Sequence, residues 1–405
     1  MSDRLFTPRF LTMFVYTFTV FVSLFQLLPT APYHILDLGG SMAVAGLFHG
    51  LLTYASAFSA PLTGPLSDRI GHRPVLIVVS LGLAALTMSY AFIHDYHVLF
   101  LVVVAHGLIW SGLLSASGAY MTAAIPPSRR GEGLGYWGLA NVLAFGAAPI
   151  LGFWVYHHGW ITLCVEMTAL NLLMAAIAWL LPDDRAEAEA ARRELAAADG
   201  AISGALFSGI HNAIAWRVLL LAIGMSVLSL GYGAITSFTS LFADAQGIAP
   251  RSLFLTVMAA ATVIGRLTIG RALDRIGHRR VLLPSLIAPS IGLFLLAMAS
   301  GRGLFITSAI VFGVGFGLMY PAYAAYIMSH VAPSRRGAAF GAILAAFDTG
   351  IGTGASLMGW VISAYGFRAA FAFTGLAGLL SLPYFLLAER RLGFAQAWAS
   401  REDAK

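Results

Sequence analysis

Charged residues are scarce in this chain, and cysteine is nearly absent. Lys and Arg number 24 and Asp and Glu number 18 among 405 residues, so only 10% of the side chains are charged. Soluble globular proteins carry about 25%. So few polar groups cannot cover a soluble domain of this size, which excludes a soluble enzyme, a nucleic-acid binder and a disordered scaffold. The one cysteine, Cys164, excludes a disulfide framework within the chain and a multi-cysteine metal site.

Apolar residues make up 59% of the chain and occur in long runs. A helix needs about 20 apolar residues to cross a bilayer, and the apolar residues suffice for about twelve such helices. The runs lie near 10–36, 43–66, 75–93, 98–122, 134–156, 160–181, 216–243, 252–272, 281–300, 304–330, 338–364 and 367–388. Because irregular backbone cannot face hydrocarbon, each run is predicted to be a helix. The sequence therefore predicts an all-α membrane protein with twelve transmembrane helices.

The distribution of Lys and Arg predicts the orientation of these helices. If the N-terminus is cytoplasmic, the cytoplasmic segments hold 20 Lys or Arg, the outer loops hold three, and Arg266 is left inside a span. Basic residues concentrate in cytoplasmic loops, so we expect both termini in the cytoplasm of a multi-pass cell (inner) membrane protein. The first span follows a mildly basic N-terminus without a small-residue cleavage site, which predicts that the span is retained. The net charge of +6 then reflects orientation and does not indicate nucleic acid.

Two motifs recur at the same spacing. DRIGHR occurs at 68–73 and 274–279, and PSRRG occurs at 127–131 and 333–337, both with an offset of 206 residues. Six spans per repeat is an even number, so both copies have the same orientation and should form two parallel bundles. The expected organisation is an N-terminal six-helix bundle at 1–181, a cytoplasmic linker at 182–212, and a C-terminal six-helix bundle with a short tail at 213–405.

The segments around DRIGHR resemble a family signature. GPLSDRIGHRP at 64–74 resembles the loop between spans 2 and 3 of the major facilitator superfamily, and GRALDRIGHRR at 270–280 is similar between spans 8 and 9. The resemblance covers nearly the whole chain and implies two pseudo-symmetric six-helix bundles that transport a solute by alternating access. It also implies that both loops form a cytoplasmic latch in the outward-open state. The latch residues would be Gly64, Asp68, Arg69, Gly71, Arg73, Gly270, Asp274, Arg275, Gly277 and Arg279.

The residue types of these loops suit such a latch. Gly64 and Gly270 would let a helix end pack tightly against a neighbour. Asp68 and Asp274 could cap an adjacent helix N-terminus, and the arginines could bind carbonyls or carboxylates. The alternative is that the loops are only positive-inside anchors.

Further segments look like small-molecule efflux members of the superfamily. These are GYGAITSFTSLFADAQG at 231–247 and FDTGIGTG at 347–354. The likeness implies proton-coupled export of a small organic molecule. Val103 stands where efflux members often carry an arginine in span 4, so a proton-linked importer of an organic acid or sugar is left open. A lipid scramblase or a non-transporting receptor is the third possibility.

Ionisable residues inside spans are costly and usually face a cavity. Asp348 lies about 16 Å into span 11, near the midplane, whereas Glu166 is about six residues into span 6. Arg266 lies about five residues from the cytoplasmic end of span 8, and His106 is near mid-depth in span 4. We expect Asp348, Arg266 and His106 to take part in proton coupling. The alternatives are a permanently paired acid and a neutral histidine bonded to a neighbouring helix.

Uncharged polar and aromatic groups inside spans are candidates for the wall of a substrate cavity. These are Gln26, Trp110, Asn141, Tyr232, Tyr320 and Tyr323. Some of the aromatic ones could instead belong to interfacial belts. GVGFG at 313–317 follows no strand and is not a nucleotide loop, and no HExxH occurs. We therefore expect a monomer that is not an enzyme, holds no cofactor or metal, and has a small molecule, protons and lipid as partners.

Overall fold

The computed structural model describes residues 4–186, 189, 216–276, 278–331 and 336–392. Most of the expected linker lies outside the described residues, as does Gly277. In the part of the chain that is described, the secondary structure is helical and contains no strand.

Twelve long helices occur within these ranges. The first six are α1 (Pro8–Asp37), α2 (Met42–Ile70), α3 (His72–Tyr90), α4 (Tyr96–Ala124), α5 (Arg130–Tyr156) and α6 (Trp160–Leu180). The others are α7 (Trp216–Ala245), α8 (Leu253–Ile276), α9 (His278–Met298), α10 (Arg302–His330) and the stretch Arg336–Arg391. That stretch is broken at Gly366, whose φ of 82° is non-helical, into α11 (336–365) and α12 (367–391). The predicted all-α architecture is confirmed.

The helices have the length and composition of membrane spans. Ten helical stretches of the described chain are long and apolar enough to cross a bilayer, and the one broken at Gly366 is counted once among them. The apolar part of α8, Leu253–Thr268, is shorter. Two of the helices begin directly after a residue that caps the N-terminus. The Thr7 hydroxyl accepts a hydrogen bond from the Phe10 amide at 3.2 Å ahead of α1, and the Asp95 carboxylate accepts one from the His97 amide at 2.8 Å ahead of α4.

The chain divides into two compact units. Unit 1 comprises Met1–Ser41 and Leu51–Ser203, and unit 2 comprises Met42–Gly50 and Gly204–Lys405. In unit 1, α1 packs against α5 and α6, and α3 packs against α4 and α6. In unit 2, α7 packs against α11 and α12, while α8 and α9 both pack against α10.

The 206-residue repeat of the sequence extends to helix packing. A Cβ atom added to Gly107 of α4 would overlap the carbonyl oxygen of Leu52, and one added to Gly313 of α10 would lie 2.5 Å from the carbonyl oxygen of Met258. The two glycines are 206 residues apart, and so are their two partners. Small residues let helices approach closely where burial of apolar surface cannot drive association. Each unit therefore repeats the same close contact.

In unit 2 a pair of glycines brings α11 against α7. A Cβ atom on Gly350 would overlap the carbonyl oxygen of Ser226, and one on Gly354 would overlap that of Leu230. The two glycines are four residues apart and share one face of α11. The close approach places the neighbouring segment at 347–348 beside α7, where part of the candidate site lies.

This contact predicts that Gly354→Ala destabilises the protein. Gly→Ala inside a helix normally stabilises it by about 1 kcal/mol, but here the methyl group would meet backbone atoms of Leu230, none of which can rotate away. We expect a net loss of about 1–3 kcal/mol, as for other overpacked interiors. Gly341→Ala is the matched control, because no atom lies within 4 Å of its Cβ position. Thermal unfolding of purified protein should show a lower Tm for Gly354→Ala alone; equal Tm values would contradict the packing argument.

Candidate functional site

Arg266 of α8 is held against α10 by the backbone of the GVGFG segment. Its Nε–H donates to the carbonyl oxygen of Gly317 at 3.0 Å, and one turn earlier the Thr262 hydroxyl donates to the carbonyl oxygen of Gly313 at 2.9 Å. A Cβ atom on Gly317 would lie 2.7 Å from the Thr262 side chain. The glycines of 313–317 therefore let α8 approach closely enough to reach the carbonyl groups of α10.

The position of Arg266 along its helix differs from the sequence-based expectation. The helix continues through a polar last turn to Ile276, so Arg266 lies ten residues before its end and not about five. Asp348 lies twelve residues after the start of its helix at Arg336. At 1.5 Å per residue these distances are about 15 Å and about 18 Å. Both charged groups therefore sit well inside their helices.

Arg266 and Asp348 do not form a direct ion pair, and Tyr320 lies near both. Electrostatic interactions connect Tyr320 to both Asp348 and Arg266, and Arg266 also interacts with Tyr232. Among the described residues, no ion pair within 4.0 Å involves either Arg266 or Asp348. Both side chains are half-buried. Two opposite charges thus share one region of unit 2 without neutralising each other by contact.

Aromatic rings surround this charged region. Tyr232 and Phe316 are stacked with ring centroids 4.6 Å apart and an interplanar angle of 4°. Phe347, adjacent to Asp348, lies 5.8 Å from Phe316 and meets Tyr320 edge-on at 5.0 Å. Such arrangements are favourable for aromatic pairs. Phe316 and Phe347 were not among the sequence-based candidates, because apolar rings inside an apolar span carry no separate signal.

The placement of Tyr323 corrects one candidate for the cavity wall. Its side chain is fully buried, and its hydroxyl donates to the carbonyl oxygen of Leu221 at 2.5 Å. Tyr323 lies three residues beyond Tyr320 on α10, and its hydroxyl reaches the backbone of α7. It ties two helices together and does not line a cavity in this structure.

The remaining candidates lie in unit 1, each in its own surroundings. His106 is buried, and its Nδ1 is 3.0 Å from the Tyr90 hydroxyl. Gln26 is buried and donates from Nε2 to Glu166 at 2.7 Å, whereas its Oε1 has no partner. Trp110 is buried and packs edge-on against Phe21 at 5.6 Å, and Asn141 of α5 is half-buried. The unit 1 candidates are therefore mostly packed between helices.

The first signature loop is organised by an acid that the sequence analysis missed. Asp184 accepts hydrogen bonds from the backbone amides of His72 and Arg73 at 3.2 and 3.0 Å, and from the His72 ring at 2.5 Å. The expectation that Asp68 caps this helix is wrong, because Asp68 meets only the His72 ring, at 3.2 Å, and is exposed. Burial raises the pKa of Asp184, but the hydrogen bonds from His72 and Arg73 outweigh it and hold the pKa below its usual value.

The glycines of the first loop also differ from expectation. Gly64 has no atom within 4 Å of its Cβ position, so it does not mediate tight packing. Gly71 is the demanding position: its φ is 95°, and a Cβ atom would lie 2.8 Å from the Arg185 side chain. Only glycine adopts such a φ without strain. Arg69 is exposed.

The arginines of both loops bind the ends of later helices. Arg73 donates to the carbonyl oxygen of Trp179 at 2.7 Å. Arg279 forms two hydrogen bonds with the buried Glu389, at 2.9 and 3.1 Å, and the Tyr326 hydroxyl donates to the same carboxylate at 2.5 Å. Of the second loop, Gly270, Asp274 and Arg275 lie in α8 with no side chain described, and Gly277 is outside the described residues.

The repeat could have revealed part of this network. At the offset of 206, Tyr326 corresponds to Tyr120, whose hydroxyl donates to the carbonyl oxygen of Pro182 at 3.0 Å. Glu389 corresponds to Asp183, next to Asp184. An arginine, a tyrosine and a terminal acid thus recur in both halves. In the described part of the chain, no group of three or more His, Cys, Asp or Glu side chains could hold a metal ion.

Comparison with known proteins agrees with this architecture. The family model for the Major Facilitator Superfamily matches residues 9–257 and 221–394, so the chain belongs to the major facilitator superfamily. It is a multi-pass membrane protein and not an enzyme, as the sequence predicted.

Relatives and solved structures resemble different shares of the chain. An uncharacterized MFS-type transporter of Pseudomonas aeruginosa is 32% identical over 43% of this chain, and the match spans only 44% of that relative's length. Another, from Burkholderia mallei, is 27% identical over 92% of this chain and 89% of its own. The crystal structure of the nucleoside transporter NupG aligns with a TM-score of 0.74 at 16% identity, covering 94% of this chain and 99% of that one. At this identity the likeness shows the fold alone.

The contacts of Asp184 predict an acid-sensitive contribution to stability. A carboxylate whose pKa is lowered by folding stabilises the fold above its unfolded pKa of about 3.9, and this stabilisation is lost as the pH falls through the folded value. Asp184→Asn should therefore lower the free energy of unfolding at pH 7 by about 1–2 kcal/mol, and with it the Tm. The difference in Tm between the variant and the wild type should vanish in acid. Asp183→Asn is the control, since Asp183 is half-exposed. A similar loss in both variants, or one independent of pH, would contradict this role.

Proposed function

We propose that this chain exports a small organic molecule across the cell (inner) membrane in exchange for protons. Two six-helix bundles, at 1–181 and 213–405, would alternate access to a binding site under control of the signature loops. The transporter class follows from family membership. The direction of transport, its coupling to protons and the location in the cell (inner) membrane are parts of the proposal. They rest on the resemblance to efflux members and on the placement of one acid.

The observation that carries proton coupling is the state of Asp348. Its carboxyl group is half-buried in α11, and in the described chain it forms no hydrogen bond and no ion pair within 4.0 Å. A carboxylate inside a membrane must be neutralised by a proton, a basic partner or a substrate. No basic partner is in contact, which favours a proton that binds in one access state and leaves in the other.

The second candidate is a proton-linked importer of an organic acid or sugar. One observation favours the organic acid: Arg266 shares the region of Asp348 but has no acidic partner within 4.0 Å among the described residues. An anionic cargo could supply the missing negative charge. Export and import differ in the direction of coupling, which proteoliposomes with an imposed pH gradient resolve.

Proton coupling is tested by Asp348→Asn. The ligand is first found by a thermal-shift screen of metabolites and drugs, because a ligand that binds only the folded state raises the Tm. In proteoliposomes, Asp348→Asn should abolish pH-driven accumulation of that ligand and retain its downhill exchange, because an amide cannot carry the proton.

The control for this experiment is the other acid placed within a span. Glu166 of α6 accepts a hydrogen bond from Gln26 of α1 and packs those helices together, so Glu166→Gln should retain pH-driven transport. Full pH-driven transport by Asp348→Asn, with an unchanged pH dependence, would overturn the assignment.

The proposed orientation is tested by thiol labelling of intact cells. The native Cys164 is buried and should give little background. Gln246→Cys, after α7, should react with a membrane-impermeant maleimide, whereas Ser203→Cys in the proposed cytoplasmic linker should react only after lysis. The reverse pattern would contradict the orientation drawn from the arginine count.

A further inference from the structure

Arg266 is a charged group, and the helices packed around it supply no opposite charge to neutralise it. It lies about 15 Å from the end of α8, at a depth where a guanidinium is costly unless it has a partner. In the described chain its one hydrogen bond runs from Nε to the carbonyl oxygen of Gly317, and no carboxylate lies within 4.0 Å. Asp348 lies near Tyr320, and in the described chain it forms no ion pair with Arg266 within 4.0 Å.

The guanidinium keeps a set of donors suited to an anion. Arginine has five N–H donors in a planar fork, and the bond to Gly317 occupies the one on Nε. The two Nη groups are therefore left over, and the side chain is half-buried. Paired Nη donors match a carboxylate or a phosphate in two parallel hydrogen bonds.

Helix packing does not account for an arginine at this position. The residue 206 positions earlier is Ala60, in the equivalent helix of unit 1. There, uncharged groups join the equivalent helices: the Ser59 hydroxyl donates to the carbonyl oxygen of Leu108 at 3.3 Å, and the hydroxyls of Thr63 and Ser111 are 2.9 Å apart. Since the same helix pair packs without a charge in unit 1, the charge in unit 2 has another role.

The aromatic surroundings of Arg266 also depart from the repeat. Tyr232, Tyr320 and Phe347 are half-buried and offer ring surface. The residues 206 positions before them are Gln26, Leu114 and Asn141. These three rings are therefore specific to unit 2, whereas Phe316 corresponds to the aromatic Trp110. Tyr232 and Tyr320 lie close enough to Arg266 to interact with it electrostatically, and Phe347 packs against both tyrosine rings.

We propose that Arg266 binds the anionic group of the transported molecule, and that the rings of Tyr232, Tyr320 and Phe347 hold a planar aromatic body beside it. The substrate class is then an aromatic organic anion. The inference rests on the proposed transport function, but it is independent of direction and of proton coupling. It assigns Arg266 to the cargo, in place of the proton-coupling role expected from the sequence.

Ligand binding to the purified protein tests this assignment. Thermal shifts are measured at neutral pH with 2-naphthoate, its neutral analogue 2-naphthamide, the cation 2-naphthylmethylamine, and octanoate as a non-aromatic anion. We expect 2-naphthoate to raise the Tm more than each of the others. Arg266→Gln should weaken 2-naphthoate binding roughly tenfold or more, with Arg266→Lys intermediate, because the charge is kept but the fork is lost.

Two further variants separate ligand binding from folding. Thr262→Val removes a hydrogen bond to the same helix one turn away and should leave the 2-naphthoate shift unchanged. Phe347→Leu should reduce the preference for 2-naphthoate over octanoate. An equal shift with 2-naphthamide, no shift with 2-naphthoate, or an unchanged shift in a folded Arg266→Gln variant would overturn the proposal. Binding needs no gradient, so a failure of Asp348-dependent coupling with intact 2-naphthoate binding would refute only the proposed proton coupling.

Discussion

The bilayer offers no water to the polar groups of the chain, and the rest of the structure depends on that constraint. Backbone groups must bond within their own helix, so the described chain consists of long helices. Helix association cannot rely on burying apolar surface from water, so it depends on close contact at small residues. Gly107, Gly313, Gly350 and Gly354 each approach the backbone of a neighbouring helix. Packing of this kind leaves backbone carbonyl groups within reach of side chains from the next helix.

The same lack of water makes each charge among the helices costly unless it has a partner. Near the helix ends, two buried carboxylates are well paired: Glu389 receives two hydrogen bonds from Arg279 and one from Tyr326, and Asp184 caps α3. These groups hold the helix ends in place, and removing one partner would leave the other buried and unpaired. Farther along their helices, Arg266 and Asp348 lack such partners among the described residues. Folding therefore leaves the cost of burying these two charges unrelieved. For that reason we assign both groups to ligands.

The internal repeat separates structural residues from functional ones. Where both halves agree, as in the glycine contacts and in the arginine and tyrosine that bond near the helix ends, the shared feature serves the shared fold. Where they differ, as at Ala60 and Arg266, the fold does not require the difference. Arg266, Asp348, Tyr232, Tyr320 and Phe347 of unit 2 have uncharged, non-aromatic counterparts in unit 1, whereas Phe316 has an aromatic one, Trp110. We infer that the two halves contribute unequally to recognition of the cargo.

Composition and periodicity determined the helical membrane fold, because the length of an apolar run and the cost of exposed backbone in lipid depend only on the local sequence. The repeat and the signature loops likewise identified the family. The sequence also identified Arg266 and Asp348, since an ionisable residue in an apolar run is visible without a structure. Only the tertiary structure decided that Asp184, and not Asp68, caps α3, that Tyr323 is a packing residue, and that Arg266 contacts a carbonyl group and no acid. Those outcomes depend on which face of a helix meets which neighbour, and that is set by contacts between residues far apart in the chain.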